Sequence, residues 1–392
     1  MKSLVVLSCL ALVSLVFVPV ASGQNYVISD LGPISPVGIN VWGEVAGNLN
    51  NGHAALWIPP GKTLDIGVLR GGKFSVAAGI NDLGTITGTA DGPGKVSGTL
   101  HGTVSCSDIF QPFVWTLGRG FSTPASIPAV SAAHVTIPCL QSDYATGINL
   151  LGQVAGSNID YATYKLGTLW NGSKGVSIIF NNAYQSSANA INDFGLVAGQ
   201  YSPETELYNT SHVALWKNGV VTDLGGLSGG SSDMGLCSGA SSVSDMGTVA
   251  GWSTPYDGVD FFACDQVTEG QIPIHAIIWT SGSGMQDLGT LSGDSSSAAV
   301  KVNLFGQVIG MSGNTVSLDT SWHEYEMDVA GRPFVWSESK GMQDLNKLIN
   351  PNSGWVLNTA TDINEEGQIV GSGTKNGQVH GYLLTPKVSM LH

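Results

Sequence analysis

Charge is what this chain most lacks. Lys, Arg, Asp and Glu make up 11% of its 392 residues, against about 25% in an ordinary globular domain. Arginine is nearly absent: Arg70, Arg119 and Arg332 lie far apart, too sparse for the arginine cluster of a sialidase. The remaining charge is lopsided, with 29 acidic and 15 basic residues and a formal net charge of −14. A nucleic-acid groove or an anionic membrane face needs clustered positive charge, so neither is expected. Helical patterning is missing too, since no window of 11 residues carries a convincing 3.6-residue period. There is no Gly-x-Ser-x-Gly elbow, no glycine-rich phosphate loop and no His-Glu-x-x-His. Neither Cys-x-x-Cys nor His-x-x-x-His spacing occurs, which argues against a structural zinc site.

What is abundant is glycine, 53 residues, nearly twice the usual share of roughly 7%. With it comes a repeated phrase. Ile191-Asn-Asp-Phe-Gly-Leu-Val-Ala-Gly199 recurs in variant form from Ile39, Ile80, Ile148, Val243, Val302 and Ile363, making seven copies. Each reads as a strand end, a tight turn closed by glycine, and a second strand ending in another glycine. Extended, the unit has four short apolar segments. A and B are the two arms of this hairpin. C starts at His53, Gln111, Gly167, His212, His275, Arg332 and His380, and D is an Asp-Leu-Gly strand, clear at Asp223, Asp287 and Asp344 and present as Asp-Ile-Gly at Asp65.

Four strands of about four to six residues predict one blade of a β-propeller. The fold class expected is therefore all-β, a seven-bladed propeller forming a single domain over residues 24–392. Its blades fall at approximately 36–69, 75–130, 142–182, 187–229, 237–293, 296–350 and 354–385. The last repeat has no D segment, while an orphan D, Tyr-Val-Ile-Ser-Asp-Leu-Gly, stands at residues 26–32 ahead of the first repeat. Supplying that strand to the last blade closes the ring and protects its edges.

The turn glycines from Gly43 to Gly367 step by about 54 residues, longer than a minimal blade of roughly 40 to 45. The surplus lies mainly between B and C, at 89–110, 157–166, 201–211, 253–274 and 312–331. Because successive strands are antiparallel, those insertions gather on one face, which is where binding is expected. The opposite face, with Asn40, Asn81, Asn149, Asn192, Ser244, Asn303 and Asn364 capping Asx-type turns, reads as quiet. His53, His212, His275 and His380 are expected to repeat one structural hydrogen bond. Trp57, Trp115, Trp170, Trp216, Trp279 and Trp336 are expected to pack between blades.

The candidate ligand residues are Trp252, Asp257, Asp260, Phe261 and Phe262 in one insertion and Trp322, His323 and Tyr325 in another. Carboxylates beside aromatics suit carbohydrate, and a structural Ca2+ is the cofactor such acidic loops could take, although the twelve-position calcium loop is absent. No catalytic residue and no metal ligand emerges from the pattern. Outside the repeat constraint, His101, His134 and His323 are the histidines with most freedom for a functional role.

Lys2, the apolar run over residues 4–21 and Ala21-Ser22-Gly23 read as a secretory signal peptide over residues 1–23. The mature chain is then secreted, or periplasmic, with no stable membrane insertion, and a monomer is expected. Exported chains with an even number of cysteines form disulfides. Each of the pairs Cys106 with Cys139 and Cys237 with Cys264 lies within one repeat or at its border, and these are the bridges expected.

The pattern Ile-Asn-x-x-Gly-x-Val-Ala-Gly, His-Ala-x-Leu-Trp, Gly-x-x-x-Asp-Leu-Gly-x-Leu is best developed in residues 191–199, 212–216, 220–227 and 275–291. It resembles the HAF repeat of bacterial exported proteins known as probable extracellular repeat proteins, over nearly all of residues 26–385, with repeats two and three departing from it in C and D. The resemblance implies export but brings no catalytic residues. Some members of that family end in a sorting tail. Pro386 to His392 has no such features, so release or periplasmic retention is expected. A secreted binding or surface-interaction module for glycan or cell-envelope ligands is the leading expectation. A glycan-active hydrolase or lyase with carboxylates near the channel mouth, and a structural envelope protein, are the alternatives.

Overall fold

The computed structural model describes residues 26–98, 102–124, 141–160, 165–172, 176–178, 183–203, 210–227, 237–255, 264, 272–319 and 326–387. They form a seven-bladed β-propeller of antiparallel four-stranded blades. The first blade is built from Ile34–Ile39, Val45–Leu49, Ala54–Ile58 and Lys62–Gly67, in chain order from the axis outward. The second uses Ser75–Ile80, Ile86–Gly98, Gly102–Thr116 and Gly120–Ser122, and the third Gln141–Ile148, Val154–Asp160, Lys165–Trp170 and Val176–Ile178. Ala183–Ile191, Val197–Pro203, His212–Lys217 and Val220–Gly225 make the fourth. The fifth has Ser238–Val243, Val249–Ser253, His275–Thr280 and Gly284–Asp287, and the sixth Ser296–Val302, Val308–Asp319, Glu326–Ser337 and Gly341–Asp344.

In the seventh blade, Trp355–Leu357 and Asp362–Ile363 share the innermost place, followed by Ile369–Lys375 and Gln378–Pro386. Its outermost strand is Tyr26–Gly32, which pairs with Gln378–Pro386 so that Val27 faces Thr385 and Asp30 faces Tyr382. The orphan D segment thus closes the ring. Its Asp30 accepts from His380, the segment C partner that the D aspartates of three other blades also have, and from Lys375.

The two glycines of each repeat are there for different reasons. The turn glycines have φ between +68° at Gly84 and +78° at Gly247, a conformation that costs a side-chain-bearing residue about 1–2 kcal/mol. The glycine ending segment B meets a steric limit instead. A Cβ built on Gly199 would stand 1.9 Å from the Ser187 carbonyl oxygen, and one on Gly156 1.9 Å from that of Tyr144. Each of these glycines lies opposite a bulge in strand A, as between Ala188 and Ala190 in the fourth blade, where the local backbone bends toward its partner.

Inter-blade packing fills the rest. The Val-Ala pairs of the B strands, such as Val197 and Ala198, are completely buried. Trp57, Trp115, Trp170 and Trp336 are buried and Trp216 and Trp279 half-buried, as expected for a residue that fills the gap between neighbours. Trp57 packs with Val370 and Leu383 of the seventh blade, and Trp336 with Ala250 and Ile278 of the fifth.

One expectation is corrected. The insertions of repeats two and six are not loops where they are described: they prolong strands B and C as regular hairpins, paired as far as Gly98 with Gly102 and Asp319 with Glu326. Alternating β-formers such as Val96 opposite Val104 and Val316 opposite Val329 favour that extension. Cys237 and Cys264 form a disulfide. The Cys106 side chain and Cys139 lie outside the described residues, as does the expected signal peptide over residues 1–23. Among the described residues no helix is long and apolar enough to cross a membrane.

Candidate functional site

The repeated histidines are structural ties. Nδ1 of His53, His212, His275 and His380 donates to Asp65 (3.0 Å), Asp223 (2.9 Å), Asp287 (2.8 Å) and Asp30 (2.8 Å), joining segment C to strand D in four of the seven blades. In the sixth blade Arg332 replaces the histidine and donates to Asp344 at 3.3 Å and Asp294 at 2.8 Å. Each histidine-paired aspartate also accepts the backbone N–H two residues on, as Asp223 does from Gly225 at 2.8 Å. Burial works to raise these four carboxyls, but the histidine and glycine donors, with Lys375, Asn51 and Tyr201 helping at Asp30, Asp65 and Asp223, hold all four below the usual aspartate value. Spread around the ring, the pairs do not converge on a ligand.

Of the sequence-derived ligand candidates, only Trp252 lies among the described residues, and there the expectation is corrected. It is 5% exposed, packed with Ile272, Ile274, Ala298 and Met311 between the fifth and sixth blades. Its ring is spent on core area and offers no platform. Asp257, Asp260, Phe261, Phe262, Trp322, His323 and Tyr325 lie outside the described residues, as do His101 and His134. Among the described residues no group of three or more His, Cys, Asp or Glu could hold a metal ion.

The face that reads as quiet in the sequence carries the most distinctive surface. Asn192 Oδ1 accepts the N–H of Phe194 at 3.0 Å and of Leu196 at 2.9 Å, the Asx turn expected, while Nδ2 donates to the Ser244 carbonyl of the next blade at 3.0 Å. The same inter-blade bond runs from Asn40 to Asn81 (3.4 Å), Asn81 to Asn149 (2.9 Å), Asn149 to Asn192 (3.1 Å), Asn303 to Asn364 (3.1 Å) and Asn364 back to Asn40 (3.0 Å). The seven turns therefore form a belt around the axis. Its one missing asparagine link is between the fifth and sixth blades, where Ser244 stands in the asparagine position and its Oγ accepts the Thr248 N–H at 3.2 Å.

Onto this belt the turns place two kinds of side chain. The residue after the asparagine is acidic in four blades. Asp82 accepts the Val41 N–H (3.0 Å), Asp193 that of Leu150 (2.8 Å), Asp245 that of Asp193 (2.9 Å) and Glu365 that of Leu304 (2.7 Å). These carboxyls act on one another across blades. Burial, opposed by the Leu304 N–H and reinforced by the charges of Asp245, Asp82 and Glu366, pushes Glu365 up to about 7. Burial likewise raises Asp193, against the Leu150 N–H and with Asp245 and Asp82 adding to the rise. Nearby cationic charge is already engaged: Lys301, two residues before the sixth turn, stands 3.6 Å from the buried Asp362.

The second residue after the asparagine is Trp42, Leu83, Leu151, Phe194, Met246 and Phe305 in the first six blades and Glu366 in the seventh. All six apolar side chains are between 64% and 77% exposed. Trp42 is fixed there, its Nε1–H donating to the Asp82 carbonyl at 2.9 Å. Single exposed apolar residues are ordinary, but six at one turn position around one mouth are a surface. The sequence carries this signal in the two residues inside each Asn-x-x-Gly turn, flanked by the Asn and Gly that the turn itself requires.

The fold and this face together define a closed seven-bladed propeller whose mouth is anionic and ringed by apolar side chains. No family model matches the sequence, and no curated protein matches it. Among solved structures, a streptogramin B lyase is 8% identical over 93% of this chain and 98% of its own, with a TM-score of 0.45. The Dos1 propeller is 10% identical over 92% and 95%, with a TM-score of 0.44. The WD40 β-propeller domain of Doa1 is 12% identical over 92% and 96%, with a TM-score of 0.34. Likeness at this level carries neither an activity nor a partner to this chain.

Proposed function

We propose that the protein is an exported binding or surface-interaction module that acts by presenting a preformed surface on a stiff ring. The observation behind this is the belt of linked turns holding six exposed apolar side chains around a set of carboxylates. A surface fixed before binding lowers the ordering cost of association. Glycan or cell-envelope ligands on the opposite, insertion-bearing face are a further form of the same reading, supported by the hairpins that extend to Gly98 and Asp319 on that side.

A second reading, a glycan-active hydrolase, draws on Glu365, a carboxyl pushed up to about 7 beside other carboxylates, as a general acid requires. Against it, Glu365, Asp82, Asp193 and Asp245 each accept a backbone N–H of another turn, a structural tie that catalysis does not need. Incubating the secreted chain with a glycan array and following both retention and product release separates the two. Retention without turnover is expected. Product release that disappears in Glu365→Gln would replace the binding reading with the hydrolase.

A further inference from the structure

We infer that the turn face docks a polypeptide segment of a partner protein in which a basic residue is flanked by apolar ones, the basic group lying over the axis among Asp82, Asp193, Asp245 and Glu365. This rests on the binding-module reading and names the face and the partner chemistry.

Charge complementarity selects the occupant. The apolar crown alone would suit a lipid surface, a second copy of this chain or a peptide. An anionic lipid surface would be repelled by four carboxylates placed inside the crown. A second copy docking by the same face would set carboxylates against carboxylates across a twofold axis. A cationic side chain is attracted instead. Lys301 leaves that attraction standing: its ammonium lies 3.6 Å from Asp362, whose carboxyl burial nonetheless holds above the usual aspartate value, and the four carboxylates outnumber this one cation.

Geometry fits the same partner. A carboxylate has about four lone-pair sites. One oxygen of each of the four accepts an N–H and the Asp193 and Asp245 carboxyls also bond to each other, which leaves lone pairs, most of them on Asp82 and Glu365, for an ammonium or guanidinium. Phe194, Met246 and Phe305 stand on the fourth, fifth and sixth blades, consecutive around the ring, and Trp42 stands beyond the seventh on the first. Apolar neighbours of the basic residue would cover Phe194, Met246 and Phe305, while the rings also favour a nearby cation through their faces. No strand edge is needed, since the ring is closed and specificity resides in side chains.

The test uses the full mature chain and three fluorescent nine-residue peptides of sequence Ser-Leu-Phe-Ala-X-Ala-Phe-Leu-Ser, with X as Lys, Gln or Glu. At near-neutral pH and low salt, the Lys peptide is expected to bind at least about tenfold more tightly than the Gln peptide, and the Glu peptide more weakly still. Asp245→Asn with Glu365→Gln keeps both N–H acceptors and is expected to shrink the Lys-to-Gln ratio toward one. Phe194→Ser with Met246→Ser and Phe305→Ser is expected to abolish binding of all three peptides with an unchanged melting temperature. Equal affinity for the Lys and Gln peptides, or binding unaffected by the triple substitution, would overturn the inference. So would retention on neutral phosphatidylcholine vesicles that the triple substitution removes while peptides stay unbound, which would assign the crown to lipid. If no peptide binds but glycans are retained through the insertion-bearing face, this inference falls and the binding-module reading stands. If neither binds, both fall.

Discussion

The two faces of the ring are built under opposite constraints. On the turn face, each hairpin connection is an Asn-x-x-Gly turn or its Ser244 variant, with the glycine at positive φ, and each asparagine bonds to the next blade's turn. On the insertion face, connections range from the short link between Leu49 and Ala54 to hairpin arms of 13 and 15 residues in the second blade. The first face has a fixed backbone and free side chains, and the second varies in both. A tightly repeated backbone therefore does not mean an idle surface: the first position inside the turn carries an inter-blade carboxylate tie in four blades, and at the second, which has no such repeated bond, six of seven blades expose a large apolar residue.

Substitutions can break this comparison in order of expected effect. Deleting residues 26–32 removes the outer strand of the seventh blade and reopens the ring. The loss is expected to match the whole stability of a domain, roughly 5 kcal/mol or more, seen as disappearance of a cooperative thermal transition. Gly199→Ala forces a Cβ against the Ser187 carbonyl and is expected to cost about 1–3 kcal/mol, whereas Gly195→Ala, with open φ strain and no backbone clash, costs about 1–2 kcal/mol. Denaturant titration of the two variants separates steric from conformational glycine.

The belt is the next target. Asn192→Ala removes two Asx bonds and one inter-blade bond and is expected to destabilise by about 1–3 kcal/mol. Ser244→Asn supplies the missing asparagine between the fifth and sixth blades and is expected to gain about 0.5–1.5 kcal/mol. Both changes are read as shifts in denaturation midpoint, and a neutral Ser244→Asn would mean the belt is already closed by other contacts there.

pH then distinguishes the faces. The Asp30, Asp65, Asp223 and Asp287 carboxyls are held below their usual value, so their contribution is present above about pH 4 and is lost as pH falls through the folded values. Glu365 works in reverse. Its folded value is raised from 4.5 to about 7, so stability present below about pH 4.5 is lost as pH rises through 7. Glu365→Gln is therefore expected to stabilise the protein at pH 8 by on the order of 1 kcal/mol after allowing for solvent screening, and to change little at pH 5. Melting temperatures of both proteins across that range give the answer. The smallest effect on stability is expected from Phe194→Ser with Met246→Ser and Phe305→Ser, within about 0.5 kcal/mol for the three exposed positions together.

Much of the fold was legible in the sequence because the repeat exposes its own geometry. The Asn and Gly of each turn counted the blades, and the misplaced Asp30 segment announced how the ring closes. Histidines at one repeat position likewise declared a structural tie. The site was less legible for a physical reason. Binding is expected where the chain departs from the repeat, as at Trp252 beside the fifth insertion, yet its neighbours Ile272, Ile274 and Met311 bury that ring. Residues such as Phe194 and Met246 sit inside turns in which backbone chemistry accounts only for the Asn and Gly. Only the ring, which brings seven sequence-distant turns around one axis, makes a surface of them and sets Glu365 of the seventh blade within reach of Asp82 in the second.

Hydroxyl-radical footprinting of the protein with and without the Lys-bearing peptide tests the central claim most directly, because Trp42, Phe194, Met246 and Phe305 are all reactive and exposed when free. Protection concentrated at these four residues is the predicted result. Protection confined to residues 89–110, 253–274 or 312–331, with Met246 oxidised as in the free protein, would contradict it and move the contact to the opposite face.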